Sequence, residues 1–149
     1  MRIIKKKNEK SLIREFLQIF KREIDKKKKS KSRLSFVLTG GSSPINLYKK
    51  LAKSNIDWSK IDLFWGDERF VSNKSKNSNF KMANDLFIKK VKINKRNLFY
   101  INTKTKNINQ SSLEYQNKIK KYFKNKKIKF DICLLGMGND GHVASIFPN

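Results

Sequence analysis

An α/β architecture, with a doubly wound and mainly parallel sheet and helices on both faces, is expected of this 149-residue chain. Short apolar runs alternate with amphipathic segments long enough to cross back over a sheet. Glycine-rich or charged loops follow three of those runs directly, at the edge where open parallel sheets bind ligands. No internal repeat or linker interrupts the pattern, and the length suits one domain over residues 1–149.

Glu9 to Lys29 reads as one amphipathic helix. Leu12, Ile13, Phe16, Leu17, Ile19, Phe20 and Ile24 recur at three- and four-residue spacing, and lysines gather at its C-terminal end. Arg33–Gly40 (RLSFVLTG) is a short apolar run stopped by glycine, as a strand buried on both faces should be. Pro44 opens a second helix whose apolar side is Ile45, Leu47, Tyr48, Leu51 and Ala52; proline costs nothing at a first helical position. Ile61–Gly66 (IDLFWG) is the second strand. Asn79–Val91 is a helix through Phe80, Met82, Ala83, Leu86, Phe87 and Val91. Leu98–Ile101 is a third strand and Ser111–Phe123 a helix capped by Ser111 or Ser112. Phe130–Leu135 (FDICLL) is the fourth strand, ended by Gly136. The polar stretches Ser72–Asn79 and Asn102–Gln110 are loops.

The formal net charge of +24 invites a nucleic-acid reading, because cations that neutralise phosphates release counterions. Its make-up points elsewhere. The chain has 30 Lys but 6 Arg, and arginine is the preferred reader of phosphates and guanines. The lysines travel with 16 Asn and 16 Ile, residues of A/T-rich codons, so base composition suffices as a cause. Lys26–Lys29, Lys118–Lys121 and Lys124–Lys129 fall at helix ends or in loops, where long charged side chains are solvated. No specific nucleic-acid partner is expected, only the weak affinity for polyanions that any such charge brings.

Other classes fall away on composition. No apolar run approaches the ~18 residues of a membrane-spanning helix. Met1–Lys10 is polar and basic, unlike a secretory leader. The lone Cys133 precludes an internal disulfide, and one His with one Cys leaves no structural zinc site. A cytoplasmic domain without membrane attachment is expected.

Three loops carry the chemistry. Thr39-Gly40-Gly41-Ser42-Ser43-Pro44 joins a strand to a helix. Its glycines allow close backbone approach, and its hydroxyls and the following helix start can receive an anion such as phosphate. The same spacing also serves an ordinary turn with Ser43 as the helix cap, and no Gly-Lys-Ser/Thr follows to make it a nucleotide loop. Trp65-Gly66-Asp67-Glu68-Arg69 puts two acids and a cation at a strand end, to position a polar substrate or to close a local salt bridge. Gly136-Met137-Gly138-Asn139-Asp140-Gly141-His142 ends on the only histidine of the chain. An imidazole of ordinary pKa, ~6.5, takes a proton from water at neutral pH, and Asp140 lies two residues before it, close enough to orient it.

Together these segments resemble the 6-phosphogluconolactonase family, within the larger group that includes glucosamine-6-phosphate isomerases. LTGGSSPINLYKKL, WSKIDLFWGDERFV with SNFKMAN after it, and FDICLLGMGNDGHVASIFPN carry the resemblance, from about Leu34 to the last residue. The aminosugar isomerases have an Asn-Glu-Pro element after the histidine, where this chain has Phe147-Pro148, which favours the lactonase branch. The resemblance implies hydrolysis of 6-phospho-D-glucono-1,5-lactone to 6-phospho-D-gluconate in the oxidative pentose phosphate pathway. It implies His142 as the base that activates water and Asp140 as the residue that places that base or the water. Asp67 would contact sugar hydroxyls or assist the reacting centre. Arg69 would bind the phosphate or the developing oxyanion, and Gly40, Gly41, Ser42 and Ser43 would cradle the phosphate, with Gly138 beside the substrate. No metal or organic cofactor is implied, because a lactone is already an activated ester and needs positioning, proton removal and oxyanion stabilisation.

Val143 stands where the family often has threonine. Family members also continue beyond Phe-Pro, so the resemblance implies a domain shortened at its C-terminus. The Phe130–Leu135 strand would then lie at an open edge, to be covered by a partner or by self-association. An aminosugar-phosphate isomerase or deaminase is the second enzymatic reading. A truncated remnant that binds sugar phosphates or polyanions weakly is the non-enzymatic one.

Overall fold

The computed structural model describes residues 3–148. Met1 and Arg2 of the polar N-terminal stretch and Asn149 of the FPN ending lie outside the described residues. The chain forms α1 (Glu9–Lys29), β1 (Leu34–Leu38), α2 (Ile45–Ala52), β2 (Ile61–Trp65), α3 (Asn79–Leu86), β3 (Leu98–Phe99), α4 (Ile108–Tyr122) and β4 (Ile132–Cys133), with short 3-10 turns between.

The four strands make one sheet of order β3-β2-β1-β4, and every pairing is parallel. β1 and β2 run in register from Leu34↔Ile61 to Leu38↔Trp65, and all five residues of each are buried. Alternate residues then face opposite ways. Leu34, Phe36 and Leu38 of β1 with Ile61, Leu63 and Trp65 of β2 meet Leu17, Phe20 and Ile24 of α1, Tyr48 and Leu51 of α2, and Ala83 of α3. Phe20 packs edge-on against Phe36 with ring centroids 4.9 Å apart. On the other face Phe64 stacks on Phe99 at 4.6 Å and meets Tyr122 of α4 at 4.9 Å. Helices thus cover both faces, three on one side and α4 on the other.

Caps explain where the helices start. Asn8 accepts from Ser11 N at 2.9 Å and Ser11 Oγ receives Asn8 N at 3.3 Å, a reciprocal box that begins α1; four lysines fill its last turn, where the dipole favours cations. α4 starts earlier than the serine signals suggested. Asn107 Oδ1 accepts from Gln110 N at 2.9 Å and caps it, while Ser111 is buried inside the helix and donates to Asn102 O at 2.7 Å. The expected 79–91 helix stops at Leu86, because Phe87 leaves helical geometry at φ −146° to fill the core between Tyr48 and Trp58. A 3-10 turn at Ile88–Lys90 follows. α2 has Pro44 at its cap position and no side-chain cap, so Ser43 does not serve as one. β4 pairs over two residues only, Phe36↔Ile132 and Val37↔Cys133, shorter than the Phe130–Leu135 run.

The order of the strands positions everything that follows. The chain builds outward from β1 through β2 to β3, then returns to the far side of β1 to lay down β4. The loops after β1 and β4 therefore part at the point where the winding reverses, and an open crevice forms there. Beyond β4 no further strand is paired among the described residues, and Leu135, Met137, Ile146 and Phe147 are exposed around that edge. No helix among the described residues is long and apolar enough to cross a membrane.

Candidate active site

A cleft of about 290 Å³ opens at that reversal point. Its walls come from three loops: Thr39, Gly40, Gly41, Ser42 and Ser43 after β1, Asp67 and Arg69 after β2, and Gly136 to Asn139 with His142 and Ala144 after β4. Of the nine residues singled out in the sequence, eight line this space; Asp140 stands behind His142.

The β4 loop folds back on itself to present the histidine. Met137 bridges Val143 in antiparallel fashion, and Gly138 N donates to His142 O at 2.8 Å. His142 Nδ1 lies 2.5 Å from Asp140 Oδ1, and the same oxygen accepts from His142 N at 3.3 Å. The tautomer in which Nδ1 donates to the carboxylate leaves the Nε2 lone pair free to accept a proton. The hydrogen bond from His142 holds the Asp140 carboxyl below the usual carboxylate range. Gly138 makes this closure possible, since a Cβ there would sit 2.2 Å from His142 Cε1 and 2.6 Å from Asp140 Oδ1. The imidazole also packs on the Phe147 ring, with centroids 4.9 Å apart.

Asp67 is gripped from two sides. Asn79 Nδ2 donates to Asp67 Oδ1 at 3.2 Å and to Asp67 O at 3.1 Å, while Ser145 Oγ donates to Asp67 Oδ2 at 3.1 Å. Both donors are neutral, and each holds one carboxylate oxygen, so the carboxylate is aimed rather than free. Glu68 turns away and caps α3, accepting from Asn79 N at 2.7 Å and Phe80 N at 2.8 Å. The local salt bridge does not form: Arg69 makes no ion pair among the described residues, and its Nη1 donates to Asn77 O at 3.1 Å. Its charge remains available to an anion in the cleft.

The glycine loop is braced from below. Tyr48 of α2, fully buried, donates its hydroxyl to Thr39 O at 2.7 Å and accepts from Thr39 N at 3.0 Å. Tyr115 of α4 does the same at the end of β2, bonding Trp65 O at 2.8 Å and Trp65 N at 3.0 Å. Each phenol replaces a ladder partner that the strand end lacks. Burial pushes both phenols well above the usual tyrosine range, so they stay protonated. Sequence reasoning did not single out Asn79, Ser145, Tyr48 or Tyr115. Asn79 and Ser145 sit inside the quoted SNFKMAN and DGHVASIFPN stretches, but nothing local shows which way a short polar side chain turns. Among the described residues no group of three or more His, Cys, Asp and Glu is placed to hold a metal ion.

The arrangement offers an anion cradle, a guanidinium, an aimed carboxylate and a carboxylate-backed imidazole around one small polar space. Known proteins resemble the chain in sequence and fold. The family described as glucosamine-6-phosphate isomerases/6-phosphogluconolactonase matches residues 7–149. A 6-phosphogluconolactonase of Nostoc sp. is 35% identical over 142 residues, which cover 93% of this chain and 59% of that protein. One from Synechocystis sp. is 37% identical over 118 residues, 77% of this chain and 49% of its own length. The crystal structure of 6-phosphogluconolactonase from Thermotoga maritima superposes with a TM-score of 0.81 at 33% identity, covering 91% of this chain and 60% of that one. The chain thus spans about half to three fifths of the length of these relatives.

Proposed function

Because this chain belongs to the glucosamine-6-phosphate isomerase/6-phosphogluconolactonase family, we propose that it hydrolyses 6-phospho-D-glucono-1,5-lactone to 6-phospho-D-gluconate, with His142 activating the water. The observation that carries this reading is the meeting of the Asp140–His142 pair with Asp67, Arg69 and the glycine loop in one cleft.

The geometry supports the following course of reaction. The phosphate of the substrate sits against Gly40, Gly41, Ser42 and Ser43, where backbone and hydroxyl donors face an anion at low reorganisation cost. His142 Nε2 takes a proton from water as the oxygen attacks C1 of the lactone. Asp140 holds the ring and offsets the charge of the imidazolium that forms. The carbonyl oxygen becomes an oxyanion, and Arg69 meets either that oxygen or the phosphate. Collapse of the intermediate breaks the bond from C1 to the ring oxygen, which recovers the proton from His142. Atoms balance as lactone plus water giving the open acid. Asp67, held by Asn79 and Ser145, accepts from sugar hydroxyls and keeps the ring in register with the base. Phe147-Pro148 after the histidine supports the lactone branch over aminosugar isomerisation.

The reaction belongs in the cytoplasm, on a small phosphorylated sugar lactone. We further propose that a partner chain or a second copy of this one covers the open side of β4, where Leu135 and Met137 are 64% and 77% exposed. The decisive test is lactone hydrolysis by the purified 149-residue chain, corrected for the spontaneous rate. His142→Ala should return the rate to background. Equal rates for the two proteins would overturn the assignment.

A further inference from the structure

Segments that lead into parallel strands all reach one edge of the sheet, opposite the edge that carries the cleft. Here they are residues 26–33 before β1, 53–60 before β2, 89–97 before β3 and 120–131 before β4. They carry nineteen Lys and Arg against two Asp. The loops leaving the strands, residues 39–44, 66–78, 100–107 and 136–148, carry five cations against three acids. The charge of the chain is therefore polar, not uniform.

The basic segments also meet in space. Lys27 Nζ pairs with Asp131 at 2.6 Å, Lys28 Nζ with Asp57 at 3.6 Å, and Arg33 Nη1 donates to Ser59 O at 2.7 Å. Between the first three segments lies a cleft of about 650 Å³, walled by Arg33, Ser59, Lys92, Asn94, Arg96 and Asn97. All the cations of the four segments except Lys27 and Arg33 are exposed. Lys26, Lys27, Lys28, Arg33 and Lys89 pair with carboxylates; the other fourteen have no ion pair among the described residues.

We propose that this amino-edge pole binds the phosphate backbone of nucleic acid without reading its bases, leaving the opposite cleft open. Lysines act on phosphates as point charges and gain from counterion release. Base reading needs arginine forks or free aromatic faces. The pole supplies little of either: Arg33 is committed to Asp62 at 2.7 Å, which leaves Arg96 as its one arginine without an ion pair among the described residues, Trp58 is buried, and Phe123 and Phe130 pack on each other at 5.1 Å. A flat bilayer fits less well than a polymer. The surface is concave, and Ile128 is the one large apolar side chain of these segments that is exposed.

The test is fluorescence anisotropy with a labelled duplex of about 20 base pairs. With about five phosphates engaged, affinity should fall ~500-fold between ~50 and ~200 mM salt, equally for two unrelated sequences. The triple variant Lys92→Glu, Arg96→Glu, Lys126→Glu should bind at least ~30-fold more weakly. Lys74→Glu, Lys76→Glu, Lys104→Glu removes the same charge from the other edge and should stay within about threefold. In the unaltered protein the duplex should shield Lys92, Lys124 and Lys126 from acetylation and leave Lys74 and Lys76 reactive. Equal weakening by both triple variants would overturn the proposal, since net charge alone would then explain binding. So would shielding on the Lys74 side, or pole-dependent binding to phosphatidylserine vesicles with none to the duplex.

Discussion

Replacing Gly40 by alanine tests how the cleft is held open. A Cβ at position 40 would lie 2.1 Å from Asn79 Oδ1, 2.4 Å from its Cγ and 2.5 Å from its Nδ2. The carboxamide cannot simply step aside, because Asn79 is 2% exposed and its Nδ2 is bonded twice to Asp67. Either the glycine loop shifts or Asn79 releases Asp67. Overpacking costs ~1–3 kcal/mol, and losing a hydrogen bond to a carboxylate costs ~1.5–3 kcal/mol. Because one movement relieves part of the other, a loss of about 3 kcal/mol is expected, which lowers the thermal midpoint by about 6–12 °C for a chain of this size. Asn79→Ala removes the hydrogen bonds without a clash and should cost about 2 kcal/mol. In that background the new methyl occupies vacated space, so the double variant should be no less stable than Asn79→Ala alone. The coupling free energy is then about 3 kcal/mol. Thermal and urea unfolding of the four proteins, followed by circular dichroism, measures it, and titration with 6-phosphogluconate reads the effect on the cleft. Additive losses would refute the wedge between loop and carboxylate.

Other consequences are equally direct. Tyr48→Phe strips both bonds from Thr39 and leaves a half-buried N–H and C=O without their partner, so it should cost ~1–2 kcal/mol in urea unfolding and weaken phosphate-ester binding. Tyr48 and Tyr115 have folded pKa values raised above the ordinary ~10, so their stabilisation is complete below that pH and is lost as pH climbs toward the folded values. Unfolding scans from pH 9 to 11 should show stability falling above ~10, less steeply in Tyr48→Phe. His142→Gln should cut lactone hydrolysis by ~10²–10⁴ in kcat with KM little changed. Asp140→Asn should lower kcat as well, because the amide can donate to Nδ1 and turn the ring's proton toward the substrate; an unchanged kcat would show that Asp140 does not set the tautomer.

The elements themselves were legible wherever local physics was strong. The seven apolar positions of Glu9–Lys29 fixed a face, and the helix has those bounds. Ranges slipped where a distant contact outweighed a local preference. Phe87 abandons its helix for a place between Tyr48 and Trp58, and Asn107 caps α4 ahead of the serines because Ser111 is recruited by Asn102. The glycine loop, the Asp67–Arg69 turn and the histidine loop stood out as glycine and charge at strand ends. Asn79, Ser145 and the two tyrosines did not, since each acts across 9 to 78 residues of sequence.

Apolar periodicity and glycine placement alone determined that this chain alternates strands with helices and sets its chemistry at strand ends, because both are read residue by residue. Strand order is different. That β4 returns beside β1 depends on which apolar faces find each other, and only that return opens the crevice and brings His142 to Ser42 and Asp67. The same parallel winding sorted lysines scattered evenly through the sequence to the opposite edge, a division of charge that no local pattern contains.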